Sequence, residues 1–432
     1  SLVGSEMCIR DRGDSMVHIQ RYPKIVIALI MICFLSLMPS LMNEASAHAT
    51  LEKTNPKQDG VVKHMPNEIE LEFNEPVNSK YSNITLYNDK GKELGKVKPS
   101  TSGWSKTLAF STDKVGKGTH TIKWQAISAD GHEVGDQFEF SVGKVTAKDI
   151  DTSNAFYEEP SFWFGVMRYI AEGATIILVG FFWLNRIAQR KQLKSFDLFP
   201  KQFGIALMLM MSYVMALLLY MMTLTSDVVD DILSLDIDVL MQFPFILSSI
   251  AMILLYALIV IRNMDRIWYV LVSIVMVLTI AMSGHAWSQT FPIWSIVIRT
   301  IHISGMTLWI GALVYLVWYA MIKKSLDQVK TVRSMLFKVN VIAVTMIIVS
   351  GVLMAIDETN ILAIWSNMQT WTTLMLVKII GTILMMGLGF YQTSKSLGKR
   401  QQVNRITLIT ELVMGVILIF IGVMMSQINI PG

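Results

Sequence analysis

Residues 293–321 read IWSIVIRTIHISGMTLWIGALVYLVWYAM. This stretch is apolar on every face; its only basic side chains are Arg299 and His302, and it holds no Asp or Glu. A run of this length exceeds the ~20 residues that a helix needs to cross a hydrocarbon core of ~30 Å. Seven further runs share its character, and the set predicts eight spans over 162–184, 203–225, 241–261, 267–285, 293–321, 338–357, 371–392 and 405–426. The chain of 432 residues is 53% hydrophobic and holds 30 Met. That excess is confined to the second part, because residues 48–160 are rich in Lys, Glu, Asp, Gly and Thr. Two domains follow, one soluble and one membranous.

The loops carry charge in alternation. Arg186, Arg190, Lys191, Lys194 and Lys201 fill the first, whereas Ser226 to Asp238 holds five aspartates and no base. Arg262 and Arg266 come next, then an uncharged loop from His285 to Pro292. Lys323, Lys324, Lys330, Arg333 and Lys338 precede a base-free loop from Glu358 to Thr370, and Lys395, Lys399, Arg400 and Arg405 close the series. Basic loops stay on the cytoplasmic side. The first domain and the C-terminal tail, 427–432, are therefore predicted to lie outside a plasma membrane that the chain crosses several times.

The amino-terminal end agrees. Arg21 and Lys24 precede an apolar run from Ile25 to Met38, and Ala45-Ser46-Ala47 supplies small residues at a cleavage point. Residues 16–47 read as a signal peptide, and residues 1–15 as a non-native leader. The two cysteines, Cys8 and Cys33, both fall in these segments. Residues from 48 onward then hold no thiol for a disulfide or a metal.

Cleavage after Ala47 would make His48 the first residue. Its α-amine and imidazole Nδ1 can chelate one metal ion together. Asp130 and His132, two apart in a turn, add a carboxylate and a second imidazole. Such an N,N,N,O set suits square-planar Cu(II). Alone, Asp130-Gly131 would be an ordinary turn and His132 a surface residue. His64 and His120 lack chelating spacing and read as solvated.

Period-two alternation marks the strands of this domain: Ile69, Leu71 and Phe73 among glutamates, then Ile84 and Leu86, Leu108 and Phe110, Ile122 and Trp124, Phe138 and Phe140. Turn residues separate them. Residues 48–145 are predicted to form an antiparallel β-sandwich of immunoglobulin-like type, with Trp104 and Trp124 on its inner faces. Residues 146–161 form a linker, and 162–426 an all-α bundle of eight transmembrane helices.

Within the spans, ionisable residues are costly and mark functional candidates. Arg168 and Glu172 stand i,i+4 and read as an ion pair. Arg299, His302 and Met306 share one helix face. His285 ends the fourth span, with Met282 three residues before it, and Asp357 and Glu358 flank the same side. Lys378 and Glu411 lie in the last two spans. Copper released outside would meet His285 and then His302, with Met282 and Met306 as thioether candidates for Cu(I). The other methionines, including Met208, Met210, Met211, Met385 and Met386, read as packing or lipid-facing.

The segments His48-Ala-Thr-Leu-Glu-Lys-Thr-Asn-Pro56, Leu71-Glu-Phe-Asn-Glu-Pro76 and Ala126-Ile-Ser-Ala-Asp-Gly-His132 resemble the CopC copper-binding proteins. The resemblance implies Cu(II) ligation by His48, Asp130 and His132, with Glu75 at the position of a nearby acidic residue. The family's Met-rich Cu(I) loop has no counterpart, since Met65 is the domain's one methionine. Ser283-Gly-His-Ala286, Arg299-Thr-Ile-His302, Trp309-Ile-Gly-Ala-Leu313 and Lys378 resemble the CopD membrane proteins. A CopC–CopD fusion of this kind resembles copper uptake proteins of the YcnJ type.

These readings imply a non-enzymatic copper protein that captures Cu(II) outside and takes part in import. Its partners are the copper ion, the lipid bilayer and a copper chaperone or reductase, with no nucleic acid. The chain contains no Walker A motif and no Asp-Lys-Thr-Gly-Thr segment, which excludes an ATP-driven pump. The alternative is copper resistance by sequestration, with the membrane half as an anchor. A copper monooxygenase is disfavoured, because Asp130 would fill an equatorial position that O₂ needs. The amino-terminal chelate has a direct consequence. One residue added before His48 turns the amine into an amide, and Cu(II) affinity of the isolated outer domain should fall by about tenfold or more. Equal affinity in a competition titration of extended and unextended domains would remove the amine from the ligand set.

Overall fold

The computed structural model describes residues 49–112, 116–128, 133–150, 156–287, 291–322, 328–358, 370–395 and 404–426. The leader, signal peptide and tail, together with His48, Asp130 and His132, lie outside the described residues, as do the side chains of His285 and Glu358.

Seven strands form one curled sheet: β1 (Leu51–Asn55), β2 (Val61–Val62), β3 (Glu68–Tyr87), β4 (Glu93–Val97), β5 (Trp104–Ser111), β6 (Gly118–Ser128) and β7 (Glu133–Val142). β3 is the organising strand. Its first part, to Glu72 and Phe73, runs between β1 and β5. After breaks in register at Glu72/Val77 and Asn78/Asn83, its last part runs between β4 and β6. The strand thus passes from one leaf of the sheet to the other. The alternating Ile69, Leu71 and Phe73 of the first leaf meet Ile84, Leu86, Ile122, Trp124 and Phe138 of the second in one core.

Three expectations are corrected. The sheet is not wholly antiparallel, because the two-residue β2 pairs parallel with β7. Trp104 is 45% exposed, since it sits at the start of β5 against the break in β3. His120 is buried rather than solvated, its Nε2 bonded to the Gly116 carbonyl at 2.8 Å. The chain after β7 folds back along β6 at that point, where the Thr119 N–H donates to Thr146 Oγ1 and its hydroxyl donates to the Ala147 carbonyl. His64 is exposed, as expected.

Ten helices follow among the described residues: α1 (Pro160–Arg190), α2 (Phe203–Thr223), α3 (Ser226–Leu233), α4 (Ile237–Leu240), α5 (Pro244–Ile259), α6 (Arg266–Ala281), α7 (Pro292–Ile322), α8 (Val329–Glu358), α9 (Thr370–Tyr391) and α10 (Arg405–Met425). Proline opens α1, α5 and α7, where no N–H is required. Asn404 caps α10 by accepting from the N–H groups of Ile406 and Thr407. Six of the helices, α1, α2, α7, α8, α9 and α10, are long and apolar enough to cross a membrane. The predicted spans 241–261 and 267–285 are the apolar but shorter helices α5 and α6, 16 residues each. That length gives about 24 Å of helix, less than the ~30 Å core. The stretch expected as an acidic loop forms α3 and α4, with Asp236 capping α4.

α7 packs against α1, α6, α8 and α10. Its closest approach is to α1, where glycine meets glycine. A Cβ on Gly180 would stand 2.1 Å from the Thr307 carbonyl oxygen, and one on Gly311 2.3 Å from the Gly180 carbonyl carbon. The two backbones touch, as small residues permit in helical membrane proteins.

The sheet domain docks on α3 and α4. Tyr81 and Ile127 join Leu224, Val228, Ile232, Val239, Phe243 and Ile246 in one buried cluster. Around it, Lys98 pairs with Asp227 at 2.5 Å, Lys80 pairs with Asp231, and the Tyr81 hydroxyl donates to Asp231 at 2.8 Å. The lysines are more than half exposed, so these pairs set orientation while burial supplies most of the stabilisation. The Lys80 ammonium, and then the Tyr81 hydroxyl, hold the Asp231 carboxyl below its ordinary 3.8. A depressed carboxyl contributes fully above that ordinary value, and its contribution is lost as pH falls through the lowered one. Docking should therefore loosen in acid. Reversing both lysines (Lys80→Glu with Lys98→Glu) should loosen it at neutral pH, raising amide exchange in 226–240 by roughly tenfold. Unchanged exchange in that variant would mean that the ion pairs play no part.

Candidate metal path

The flanks of the predicted outer ligands converge on β3. The Thr50 N–H donates to Asn74 Oδ1 at 2.7 Å, and the Asn74 N–H donates to the Thr50 carbonyl at 3.0 Å. This doubly bonded pair anchors the chain two residues after His48. Ser128, two residues before Asp130, pairs with Val77. Glu75 lies between Asn74 and Val77, in the break of β3, with its Oε1 closed off from solvent. The start of the described chain and the end of β6 thus meet β3 on either side of Glu75. Ile127, next to Ser128, belongs to the docking cluster, so the end of β6 faces the helices.

In the helical half, Arg168 and Glu172 form the expected pair, 2.8 Å apart with side chains 4% and 6% exposed. The guanidinium also donates to the Ser283 carbonyl at 3.2 Å and lies over the Phe245 ring. Removing either charge would strand the other, at a cost of about 3–5 kcal/mol. Asp357 accepts a hydrogen bond from Ser295, which ties α8 to α7 at the end nearest the docked domain.

His302 is buried at 6% exposure, with its ring against Gly351 of α8. Its Nδ1 is 3.0 Å from Ser350 Oγ. The Ser350 hydroxyl in turn donates to the Met346 carbonyl. A hydroxyl has one proton, so Ser350 accepts from His302 and Nδ1 carries the hydrogen. The neutral ring then presents a lone pair at Nε2, which has no hydrogen-bond partner among the described residues. That is the protonation pattern of a metal-ligating histidine whose other nitrogen is fixed by a neighbour.

His302 lines a cavity of about 40 Å³ together with Met306, Trp309, Lys378, Met385 and others. The predicted partner Met306 is therefore beside it, and its methyl and Lys378 Nζ both lie against Gly422, 3.9 and 3.6 Å from where a Cβ would stand. Met282 does not line the cavity. It follows α6, and its carbonyl accepts from Trp287 Nε1 at 2.8 Å. His285 lies in a one-turn 3₁₀ helix, His285–Trp287, at the same end of the bundle. Met208 and Met211 are exposed on the bundle surface, where lipid would cover them. Met385, read from sequence as packing or lipid-facing, is 3% exposed in the helical core and also lines the cavity. Its signal was positional: it lies seven residues after Lys378, two turns along one face. Among the described residues no three His, Cys, Asp or Glu side chains are grouped to hold a metal, so any ligand set here relies on methionine.

The chain is similar to Copper transport protein CutJ of Bacillus subtilis (strain 168), 31% identical over 119 residues, a match that spans 27% of this chain and only 21% of CutJ. Protein YobA of Escherichia coli (strain K12) is 28% identical over 98 residues, 22% of this chain and 79% of YobA. Among solved structures, CopC from Methylosinus trichosporium OB3b is 26% identical and covers 22% of this chain and 93% of its own, with a TM-score of 0.21. PcoC, a methionine-rich copper resistance protein from Escherichia coli, is 26% identical over 22% of this chain and 99% of its own, with a TM-score of 0.19. Residues 51–143 match the family model of the CopC domain, joined here to a helical half in which six helices are fit to cross a membrane.

Proposed function

We propose that this chain captures Cu(II) outside the cell at His48, Asp130 and His132, with Glu75 beside them, and takes part in carrying copper across the plasma membrane. One observation carries the reading. The end of β6, which leads to Asp130 and His132, is docked onto the helical half through Ile127. A sequestering domain needs only a tether, whereas a donor domain must face its acceptor. The name of CutJ and the match to the CopC domain support copper as the cargo.

In this reading copper leaves the outer site and enters the bundle from the docked end. His285 and Met282 stand near the entry, and His302 offers Nε2 about 15 Å along α7, with Met306 one turn further. The imidazole suits either oxidation state of copper, and the thioether favours Cu(I). The domain lies outside because every basic loop falls on the opposite side. A chaperone or reductase would act outside this chain.

The experiment is copper uptake under copper limitation. His285→Gln with His302→Gln should reduce cell-associated copper to the level of cells lacking the protein, with normal membrane insertion and an outer domain that still binds Cu(II). Normal uptake by that variant would remove both histidines from the path. Sequestration predicts the opposite response to deletion, more cellular copper rather than less. A subtler variant tests the tautomer. Ser350→Ala removes the acceptor of the Nδ1 hydrogen, and Cu(I) affinity of the full chain carrying Asp130→Ala and His132→Ala should fall by about tenfold. Unchanged affinity would show that Ser350 does not orient the ring.

A further inference from the structure

The cavity at His302 opens onto a seam between α9 and α10, and four contacts fix the register of that seam. Lys378 Nζ lies 3.6 Å from the Cβ position of Gly422, and Leu418 Cδ2 lies 2.9 Å from that of Gly381. Met385 Cε lies 3.7 Å from that of Gly415, and Glu411 Oε1 lies 3.1 Å from that of Gly389. Each step advances about one turn along both helices, which run antiparallel. In every pair a glycine faces a longer side chain, so the seam has room where two side chains would otherwise meet. Lys378 is nearest the docked end, and Glu411 nearest the far end.

Glu411 is the unexpected member. It is 1% exposed, and its Oε1 has no hydrogen-bond partner among the described residues. A buried carboxyl without a partner either keeps its proton or gives it up to pair with a cation. Glu411 stands one turn beyond Gly415, which lines the cavity, as Gly389 stands one turn beyond Met385. Past Gly389, Gln392 is 2% exposed, and neither atom of its amide is partnered among the described residues. Unsatisfied acceptors thus continue from the cavity toward the far end of the bundle.

We propose that Glu411 and Met385 form a second cation site, one that takes the copper ion from the His302 cavity and leads it along the α9–α10 seam past Gln392. The thioether is a soft ligand, and the carboxylate neutralises the ion's charge where water is scarce. Lys378 at the near end repels a cation, and the Glu411 carboxyl at the far end can exchange its proton for one, so a cation is favoured at the Glu411 end of the seam. No change of oxidation state is involved. The proposal rests on the copper path described above, but its site can be tested without transport.

The test uses the purified full chain with the outer site removed by D130A and H132A and the cavity site removed by H302Q. Cu(I) added alone should still bind, and adding E411Q or the volume-conserving M385L should weaken that binding by about tenfold or more. Undiminished binding in both would overturn the site. A purely structural Glu411 is distinguished by stability, because E411Q replaces an unpartnered carboxyl with an amide of the same size and should leave the thermal midpoint unchanged or higher. In cells, E411Q or M385L alone in the otherwise native chain should depress copper uptake. Normal uptake in both, with uptake abolished by H302Q, would mean that copper passes the cavity and leaves by another route. Normal uptake in H302Q as well would refute the path itself.

Discussion

The contact between Gly180 and Gly311 is the constraint on which the helical half depends. Two helices that touch through backbone cannot slide or rotate without collision, so the position of α7 is fixed by α1. A lipid-facing bundle gains little from hydrophobic burial between helices and relies on close packing instead. Once α7 is seated, His302 lies about two and a half turns from Gly311 on a helix that also meets α8 and α10. Gly305 repeats the device on the other face, since a Cβ there would stand 3.0 Å from the Ala343 carbonyl oxygen. Two glycine contacts thus set the position of the helix that carries the imidazole, and the bond to Ser350 orients the ring.

The outer domain is placed by a different balance. Its contact with α3 and α4 has an apolar centre and an ionic rim, the usual anatomy of a specific interface. The aspartates of the stretch 226–238, which holds no base, receive the domain's lysines.

Much of this organisation was legible in the chain. Alternation located Ile69, Leu71 and Phe73 in the core, because a half-buried strand imposes a period of two. Hydropathy located the helices, since apolar runs have one stable solution in lipid. What failed did so for non-local reasons. His120 looked solvated because the segment that covers it, around Thr146, is remote in sequence. Trp104 looked buried because periodicity does not reveal where a strand starts. The two short helices α5 and α6 are apolar for as long as a span, but breaks at Val260 and Met282 shorten them. At the His302 cavity, Met306 was found by its spacing from His302. Met385 was missed because it comes from another helix, and only packing brings it to the same cavity.

The chain of hydrogen bonds at His302 has one more implication. It runs from Nδ1–H to the Ser350 hydroxyl and ends on the Met346 carbonyl, a group that can neither take up a proton nor pass one on. A histidine within a membrane is a natural relay for protons, and a path that conducted them would discharge the gradient the cell maintains. Among the described residues the relay has no continuation on that side, so the arrangement that leaves the Nε2 lone pair free closes the Nδ1 side to proton transfer.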